Sequence, residues 1–184
     1  MYAPTFRDDG SINGYLNNFD TIKSTLEKIT NKKWLIVVRM HENALKLAKN
    51  ITYNDSIING SFFPDVQELG VMSDMLITDY SSVMSDFFIM HKPVFLYVAD
   101  LENYKTKSRG LRDIFYNLPV PMCKNYDDLI SSICSFNENK YLSTLENFMK
   151  SHYLSFDDGH ASERVVNLIK ARMTNLSNNE KELI

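Results

Sequence analysis

Short apolar runs recur along the chain, and longer segments of mixed apolar and polar residues separate them. Two of these runs, over 34–38 and 75–78, are almost uninterrupted, which is typical of strands that are covered on both faces. Three weaker runs have the length and the flanking residues of strands. The predicted strands are 2–6, 34–38, 56–59, 75–78 and 94–98.

The segments between these runs have the apolar spacing of amphipathic helices. In the first segment, apolar residues recur every three or four positions, at Phe19, Ile22, Leu26 and Ile29. Asp65, with Glu68 three residues later, resembles a capping box and marks the start of a second helix that runs through residue 73. Further helices are predicted over 42–49, 83–90, 126–136, 139–152 and 161–173, whereas residues 99–120 give no clear element.

This alternation of strands and helices predicts an α/β fold. Units of strand, helix and strand form parallel sheets, and right-handed crossovers place the helices on both faces. We therefore expect a doubly wound parallel sheet in a single domain over residues 1–184. We expect the chain to end in helices over about 125–173 and in a frayed polar tail over 175–184, with no linker or internal repeat.

Composition narrows the class of protein. The chain has 184 residues, of which 44% are hydrophobic and 23% charged, as in ordinary globular domains. Twenty basic and 23 acidic residues give a net charge of -3, which argues against nucleic-acid binding by bulk charge. No apolar run reaches the roughly 18 residues of a membrane-spanning helix, and the start is not that of a signal peptide. Two cysteines are too few for a disulfide scaffold and suit a reducing compartment.

Polar residues follow three of the predicted strands. In doubly wound sheets, ligands bind beyond the carboxyl ends of the strands, so these residues are the candidates for a site. In chain order they are Thr5 and Arg7, then Arg39 and His41, then Asp79, Tyr80, Ser81 and Ser82.

The turn over 78–82 has the chemistry of a phosphate site. The first amides of the helix that follows it lack partners within the helix and carry the positive end of its dipole, and serine hydroxyls add donors without bulk. The ordinary alternative is that Asp79 or Ser81 only caps this helix. The chain has no G-x-G-x-x-G motif and no P-loop, which disfavours ordinary NAD or ATP binding.

His41 and several arginines are further candidates. A histidine at the end of a strand is suited to donate to a diphosphate or to transfer a proton near neutral pH, although it equally suits a pair with Glu42 or with solvent. The guanidinium forks of Arg7, Arg39 and Arg109 match phosphate oxygens, whereas most arginines simply cover surface. The acidic pair at 157–158 resembles a metal site, but it also suits a cap of the last helix, and no metal is assigned.

Several motifs together resemble one family. They are Tyr2-Ala3-Pro4-Thr5-Phe6-Arg7-Asp8, Arg39-Met40-His41, Leu76-Ile77-Thr78-Asp79-Tyr80-Ser81-Ser82-Val83-Met84 with Asp86-Phe87, Asp100 to Tyr104 with Arg109-Gly110, and 158–166. This set is similar to the CDP-glycerol glycerophosphotransferases, which are the teichoic-acid primases and polymerases, with related capsule polymerases. The likeness covers nearly the whole chain.

The resemblance implies the C-terminal, Rossmann-like half of a GT-B fold, excised from a longer chain. The implied reaction transfers glycerol phosphate from CDP-glycerol to a hydroxyl acceptor and releases CMP. The resemblance gives His41 a catalytic role on the donor diphosphate and gives the other candidates a donor-binding role, with Asp79 orienting the site. Those donor-binding residues are Thr5, Arg7, Arg39, Asp79, Tyr80, Ser81, Ser82, Arg109 and Gly110.

Partners and location follow from the same resemblance. The base for the acceptor hydroxyl, and the polymer or lipid-linked acceptor itself, would belong to the other half of the protein, so this chain is expected to bind donor weakly and turn over poorly. No cofactor is expected in this domain, and a divalent cation is left unassigned. The full-length protein is expected in the cytoplasm, peripheral on the inner face of the cell membrane.

Three alternatives stay open at this point. The donor could carry a ribitol phosphate or a sugar phosphate, because the sequence after Gly110 departs from the family pattern. The chain could be a GT-B glycosyltransferase or epimerase domain that uses a UDP-sugar, since such a domain shares the sheet and the phosphate-binding helix. It could also be a non-catalytic docking module, although it has no strongly amphipathic or basic stretch for a membrane.

Overall fold

The computed structural model describes residues 1–12, 14–107, 110–152 and 158–181. Five short strands are β1 (Ile36–Val38), β2 (Ile57–Asn59), β3 (Leu76–Thr78), β4 (Val94–Tyr97) and β5 (Met122–Cys123). The α-helices are α1 (Phe19–Thr30), α2 (Leu45–Ala48), α3 (Val66–Met72), α4 (Val83–Ile89), α5 (Leu101–Lys107), α6 (Tyr126–Cys134), α7 (Glu138–His152) and α8 (Ala161–Lys181). Two 3-10 helices cover Glu42–Ala44 and Asp113–Asn117.

The strands form two small parallel sheets, so the predicted α/β class and parallel pairing are confirmed. One sheet is β1–β2, with Ile36 opposite Ile57, and the other is β3–β4–β5. The strand predicted over 2–6 is reduced to bridges at Tyr2, which pairs in parallel with both Val38 and Ile77. The doubly wound arrangement of a single sheet stays a prediction.

The backbone around Tyr2 connects the two sheets. The Tyr2 amide donates to the Val37 carbonyl at 2.8 Å, and the Ala3 amide donates to the Ile77 carbonyl at 3.0 Å. The Tyr2 side chain is 2% exposed, and its hydroxyl accepts the Leu16 amide at 2.9 Å. This first segment therefore aligns the ends of β1 and β3, beyond which the candidate residues lie.

Helix α1 has the predicted apolar face over three of its four positions. Phe19, Ile22 and Leu26 are buried in the core, whereas Ile29, in the last turn of the helix, is 46% exposed. The helix packs against α6, and the Tyr126 hydroxyl donates to the carbonyl of Asn18 at 3.0 Å.

Both ends of helix α3 are held by side chains. At its start, Asp65 accepts the amides of Gln67 and Glu68, as the capping-box pattern predicts. At its end, the Lys92 ammonium donates to the carbonyls of Gly70, Val71 and Ser73 at 3.1, 2.6 and 2.7 Å. A cation on the last carbonyls of a helix also compensates the negative end of its dipole.

The chain divides into two compact units, Met1–Leu145 and Glu146–Ile184. The first contains both sheets and the candidate donor-site residues that the structure describes, and the second contains the end of α7 and α8. Helix α8 extends to Lys181, beyond the predicted end near 173 and into the predicted frayed tail. Within the described ranges, no helix is both long and apolar enough to cross a membrane.

Candidate functional site

A cavity of about 500 Å³ lies beyond the carboxyl ends of β1 and β3. Its walls come from the segments that follow β1, β2 and β3, together with Ala3 and Pro4 of the first segment. Four of the predicted site residues line this one cavity. They are Arg39, His41, Ser81 and Ser82.

His41 is exposed at the start of the 3-10 helix that follows β1. Its ring Nδ1 accepts the backbone amide of Asn43 at 3.2 Å, and its ring lies 4.6 Å from that of Phe6. Because Nδ1 accepts a hydrogen bond, the neutral ring carries its proton on Nε2. The imidazole can therefore donate from Nε2 to an anion in the cavity.

Arg39 binds the wall of the cavity that the segment after β2 forms. Its Nη1 donates to the carbonyls of Gly60 and Phe63 at 3.2 and 2.6 Å, and the next amide, that of Met40, donates to the Ser61 hydroxyl at 3.0 Å. A Cβ on Gly60 would lie 2.5 Å from Val37 Cγ1, so a side chain does not fit there. The segment after β2 is thereby held close to β1.

Ser81 and Ser82 lead directly into helix α4. Ser82 is the N-cap residue, but its side chain accepts no backbone amide, and Ser81 Oγ accepts the Val83 amide only at 3.4 Å. Asp79 does not cap the helix either, because its Oδ1 accepts the amides of Thr5 and Tyr80 at 2.8 and 2.6 Å. The capping alternative for Asp79 is therefore wrong.

The cavity also contains carboxylates that sequence reasoning did not propose as site residues. Glu42 and Asp86 both line it, and partial burial raises the pKa of Asp86. Asp86 lies four residues after Ser82 on α4, a spacing that puts the two on the same helix face. That spacing is the sequence signal that could have identified it.

Arg7 lies outside the cavity, buried beside it. Its Nε and Nη2 donate to the two carboxylate oxygens of Asp100 at 2.6 and 3.1 Å, and Nη2 lies 2.9 Å from Asp79 Oδ2. Nη1 donates to the Thr5 carbonyl at 2.6 Å, and the side chain is only 4% exposed. Burial opposes the charge of this guanidinium, but the two carboxylates outweigh it and raise the pKa of Arg7.

Tyr80 completes this group, which we call the Arg7 cluster: Arg7, Asp79, Tyr80 and Asp100. The Tyr80 hydroxyl donates to Asp100 Oδ1 at 2.9 Å, and its ring stacks on Tyr104 with centroids 3.7 Å apart. Burial and the neighbouring Asp100 carboxylate raise the pKa of Tyr80, so its phenol stays protonated and donates.

The predicted residues thus fall into two adjoining groups. Arg39, His41, Ser81 and Ser82 line the cavity, whereas Arg7, Asp79 and Tyr80 form the cluster behind it, with the Thr5 backbone bound to that cluster. Gly110 is exposed, with a φ of 67°, and does not line the cavity. Arg109 lies outside the described residues.

Neither Asp100 nor Gly14 was assigned a function from the sequence, although contacts of both determine the geometry of the cluster. Asp100 comes two residues after the predicted strand over 94–98, which was the available signal. Gly14 gave no signal, because its importance depends on a contact with residues distant in sequence.

No metal centre is recognisable in the part of the chain that the structure describes. There, no group of three or more histidines, cysteines or acidic residues is arranged to hold a metal ion. Of the acidic pair considered above, Asp157 lies outside the described residues. Asp158 pairs with Arg164 at 2.8 Å and accepts the backbone amide of His160.

Comparison with known families agrees with the motifs. A sequence model of the family described as CDP-Glycerol:Poly(glycerophosphate) glycerophosphotransferase matches residues 1–171. The chain therefore belongs to this family, as its motifs predicted.

Characterised relatives are considerably longer than this chain. It is 33% identical over 174 residues to the teichoic acid glycerol-phosphate transferase of Staphylococcus aureus (strain NCTC 8325 / PS 47), a match that covers 92% of this chain and 44% of the relative. It is 34% identical over 180 residues to the teichoic acid poly(glycerol phosphate) polymerase of Staphylococcus epidermidis, covering 92% of this chain and 24% of the relative. The chain thus spans less than half the length of these relatives.

Solved structures of the wall teichoic acid polymerase TagF are similar in fold. One matches with a TM-score of 0.68 and 32% identity, covering 97% of this chain and 44% of that chain. A histidine-substituted variant of TagF soaked with CDPG matches with a TM-score of 0.66 and 31% identity, covering 96% and 42%.

Proposed function

We propose that this chain is the donor-binding part of a CDP-glycerol-dependent glycerophosphotransferase, and that the cavity beyond β1 and β3 binds the donor diphosphate. The observation that carries the proposal is the convergence of Arg39, His41, Ser81 and Ser82 on one cavity. Their donors suit phosphate oxygens. Membership of the family and the CDPG-soaked TagF variant support the choice of donor.

The reaction transfers glycerol phosphate in teichoic acid or capsular polysaccharide synthesis. An acceptor hydroxyl attacks the phosphorus that carries glycerol, the bond from that phosphorus to the bridging oxygen breaks, and CMP leaves with the bridging oxygen. The acceptor proton passes to a base in another part of the protein. Catalysis of such a transfer depends mainly on positioning and on stabilising the charge of the leaving group.

Each cavity residue has a distinct part in this proposal. The Nε2 proton of His41 is donated to the diphosphate and stabilises the departing CMP, and the hydroxyls of Ser81 and Ser82 hold the same phosphates. Arg39 supplies positive charge while its Nη1 keeps the cavity wall in place. Arg109 and Gly110 are proposed as further donor ligands on the family resemblance alone.

In this proposal the Arg7 cluster does not contact the donor but supports the residues that do. The Arg7 guanidinium already has two carboxylates as partners, so its charge serves the structure of the loop after β3. Asp79, Tyr80 and Thr5 belong with it: they orient the site and do not form its surface.

We further propose that the chain is the Rossmann-like half of a GT-B fold, with its acceptor site and base supplied by the rest of the protein. The share of the relatives and of TagF that the chain covers supports this division. In the complete protein the domain would work at the inner face of the cell membrane, where a lipid-linked acceptor is accessible.

Calorimetric titration tests the proposal. CDP-glycerol is titrated into the wild-type chain, His41→Ala and Ser82→Ala, with a UDP-sugar as the competing donor. We expect the wild type to prefer CDP-glycerol, and each variant to lose about tenfold in affinity, since each loses a charge-assisted or polar hydrogen bond to phosphate.

Two exposed positions provide matched controls for that titration. His160→Ala removes a histidine from the second unit, and Ser135→Ala removes an exposed serine at the end of α6. Both are expected to bind as the wild type does. A preference for the UDP-sugar, or unchanged affinity in both His41→Ala and Ser82→Ala, would contradict the proposal.

A further inference from the structure

The loop over 79–82 joins the Arg7 cluster to the cavity. Its first two residues are held in the cluster, and its last two line the cavity. A single peptide bond joins the two pairs, so a displacement of Asp79 or Tyr80 is transmitted directly to Ser81 and Ser82. What fixes the cluster therefore also fixes part of the cavity wall.

Asp100 anchors this cluster to the turn that follows the neighbouring strand β4. It follows β4, is 8% exposed, and accepts three hydrogen bonds: from Arg7 Nε, from Arg7 Nη2 and from the Tyr80 hydroxyl. The pair with Arg7 is bidentate, which fixes an angle as well as a distance. This one carboxylate thus ties both Arg7 and the Tyr80 hydroxyl to the turn after β4.

The rings around the guanidinium restrict the cluster further. The Arg7 Cζ lies 5.0 to 5.3 Å from the ring centroids of Tyr15, Tyr80 and Tyr104. Cations at this distance from aromatic rings are attracted to them, more strongly where water is excluded. The guanidinium is therefore held both by carboxylates and by the neighbouring aromatic rings.

Gly14 provides the space for the anchor. A Cβ at this position would lie 2.5 Å from both Cγ and Oδ2 of Asp100 and 2.7 Å from Arg7 Nη2. The φ of Gly14 does not fall in the left-handed region, so alanine is acceptable to the backbone there. The three atoms nearest to that Cβ all belong to the Asp100–Arg7 pair.

We propose that Asp100 is a positioning residue: by holding Arg7 and Tyr80, it fixes the loop over 79–82 so that Ser81 and Ser82 meet the donor phosphates. This inference rests on the proposed function, because it takes the donor diphosphate as the ligand of the loop. It goes beyond that function by placing control of the cavity in the turn after the neighbouring strand β4, in a residue that does not line the cavity.

The test compares two ligands, CDP-glycerol and cytidine, which carries no phosphate. Both are titrated into the wild type and Asp100→Asn. In either orientation the amide of the new asparagine directs its own N–H groups at an N–H of Arg7, so the bidentate pair is lost. We expect the affinity for CDP-glycerol to fall about tenfold or more, as misplacement of binding groups by about 1 Å can cause, while the affinity for cytidine stays near that of the wild type.

Two other variants perturb the same anchor by different means. Gly14→Ala keeps every hydrogen-bonding group but displaces the Asp100 carboxylate, and we expect the same selective loss. Tyr80→Phe removes one of the three donors and leaves the Arg7 pair intact, so we expect a smaller loss. Should Asp100→Asn fail to fold, Tyr80→Phe decides the question by the same ratio of affinities.

Lys92→Met is the control for lost stability. It removes a helix cap before β4, away from the cluster, and is expected to leave the ratio of the two affinities unchanged. If the anchor variants change that ratio no more than Lys92→Met does, Asp100 is only structural and the inference is wrong.

The outcomes also separate this inference from the proposed function. If His41→Ala and Ser82→Ala weaken CDP-glycerol binding and the anchor variants do not, the inference alone fails. If the wild type does not bind CDP-glycerol, or those two cavity variants bind it unchanged, the proposed function fails and the inference with it.

Discussion

Arg7 follows the first predicted strand, a position from which a guanidinium commonly reaches a bound anion. In the structure, Arg7 is instead paired with two carboxylates from distant parts of the sequence, and its side chain is 4% exposed. A buried guanidinium is tolerated only with such partners, because removing it from water is costly. Burial thus decides between a ligand-binding and a structural arginine, and the sequence pattern around a strand end does not reveal burial.

Removing this charge should therefore weaken the fold strongly. Arg7→Met leaves two buried carboxylates without their cation, and we expect the free energy of unfolding to fall by about 3–5 kcal/mol. Urea unfolding followed by the fluorescence of the single tryptophan, Trp34, measures this. Arg7→Lys should also be destabilising, since a lysine cannot reproduce the bidentate pair. A loss below about 1 kcal/mol, typical of an exposed pair, would contradict the described burial.

The two cysteines should differ in reactivity. Cys123 is fully buried on β5, and burial raises the pKa of its thiol, whereas Cys134 is exposed at the end of α6. Because the thiolate is the reactive form, iodoacetamide should label Cys134 in the native chain and Cys123 only after unfolding. Mass spectrometry of Cys134→Ser gives the control, in which native labelling should nearly disappear. Equal labelling of both thiols would contradict the placement of Cys123.

At the scale of elements, the helix ends show what sequence alone can locate. The start of α3 was predictable, because Asp65 and its amide partners are neighbours in sequence. The cap on its other end was not predictable, because Lys92 lies 19 to 22 residues further along the chain than the carbonyls of Ser73 and Gly70 that it binds. Helix α5 and strand β5 were also missed: α5 lies within residues 99–120, which gave no clear element, and β5 is only two residues long.

Loss of the Lys92 cap should weaken α3 measurably. Lys92→Met removes a cation that donates to three carbonyls at the end of the helix, and we expect a loss of about 1–2 kcal/mol in the free energy of unfolding. Thermal or urea unfolding measures the change. The matched substitution Lys105→Met removes a half-exposed lysine that pairs with the exposed Glu102 and lies over the Tyr116 ring, and it should change stability little. Equal effects of the two substitutions would refute the capping role.

At the scale of the whole molecule, the class of fold and several of the residues that line the cavity were predictable from the sequence. The strand ends were recognisable from apolar runs, so the residues that follow β1 and β3 were correctly expected near one another. Which candidate residues line the cavity and which belong to the buried cluster was not predictable, because it depends on the contacts of Asp100 and Gly14 and on the burial of Arg7. Those contacts join positions that are far apart in sequence.

The size of the chain relative to its relatives leads to a prediction about turnover. If the base and acceptor site belong to another part of the protein, the 184-residue chain should bind CDP-glycerol but release CMP very slowly. The rate of CMP release is measured by chromatography in the presence of glycerol phosphate acceptors. His41→Ala is the control for background hydrolysis. Robust transfer by this chain alone would show that it holds a complete active site.

The most direct test of the central claim is a crystal structure of the chain with CDP-glycerol. The account predicts that the diphosphate lies in the cavity beyond β1 and β3, with phosphate oxygens within hydrogen-bond distance of His41 Nε2 and the Ser82 hydroxyl. A donor bound elsewhere on the molecule, with its phosphates away from both side chains, would contradict it.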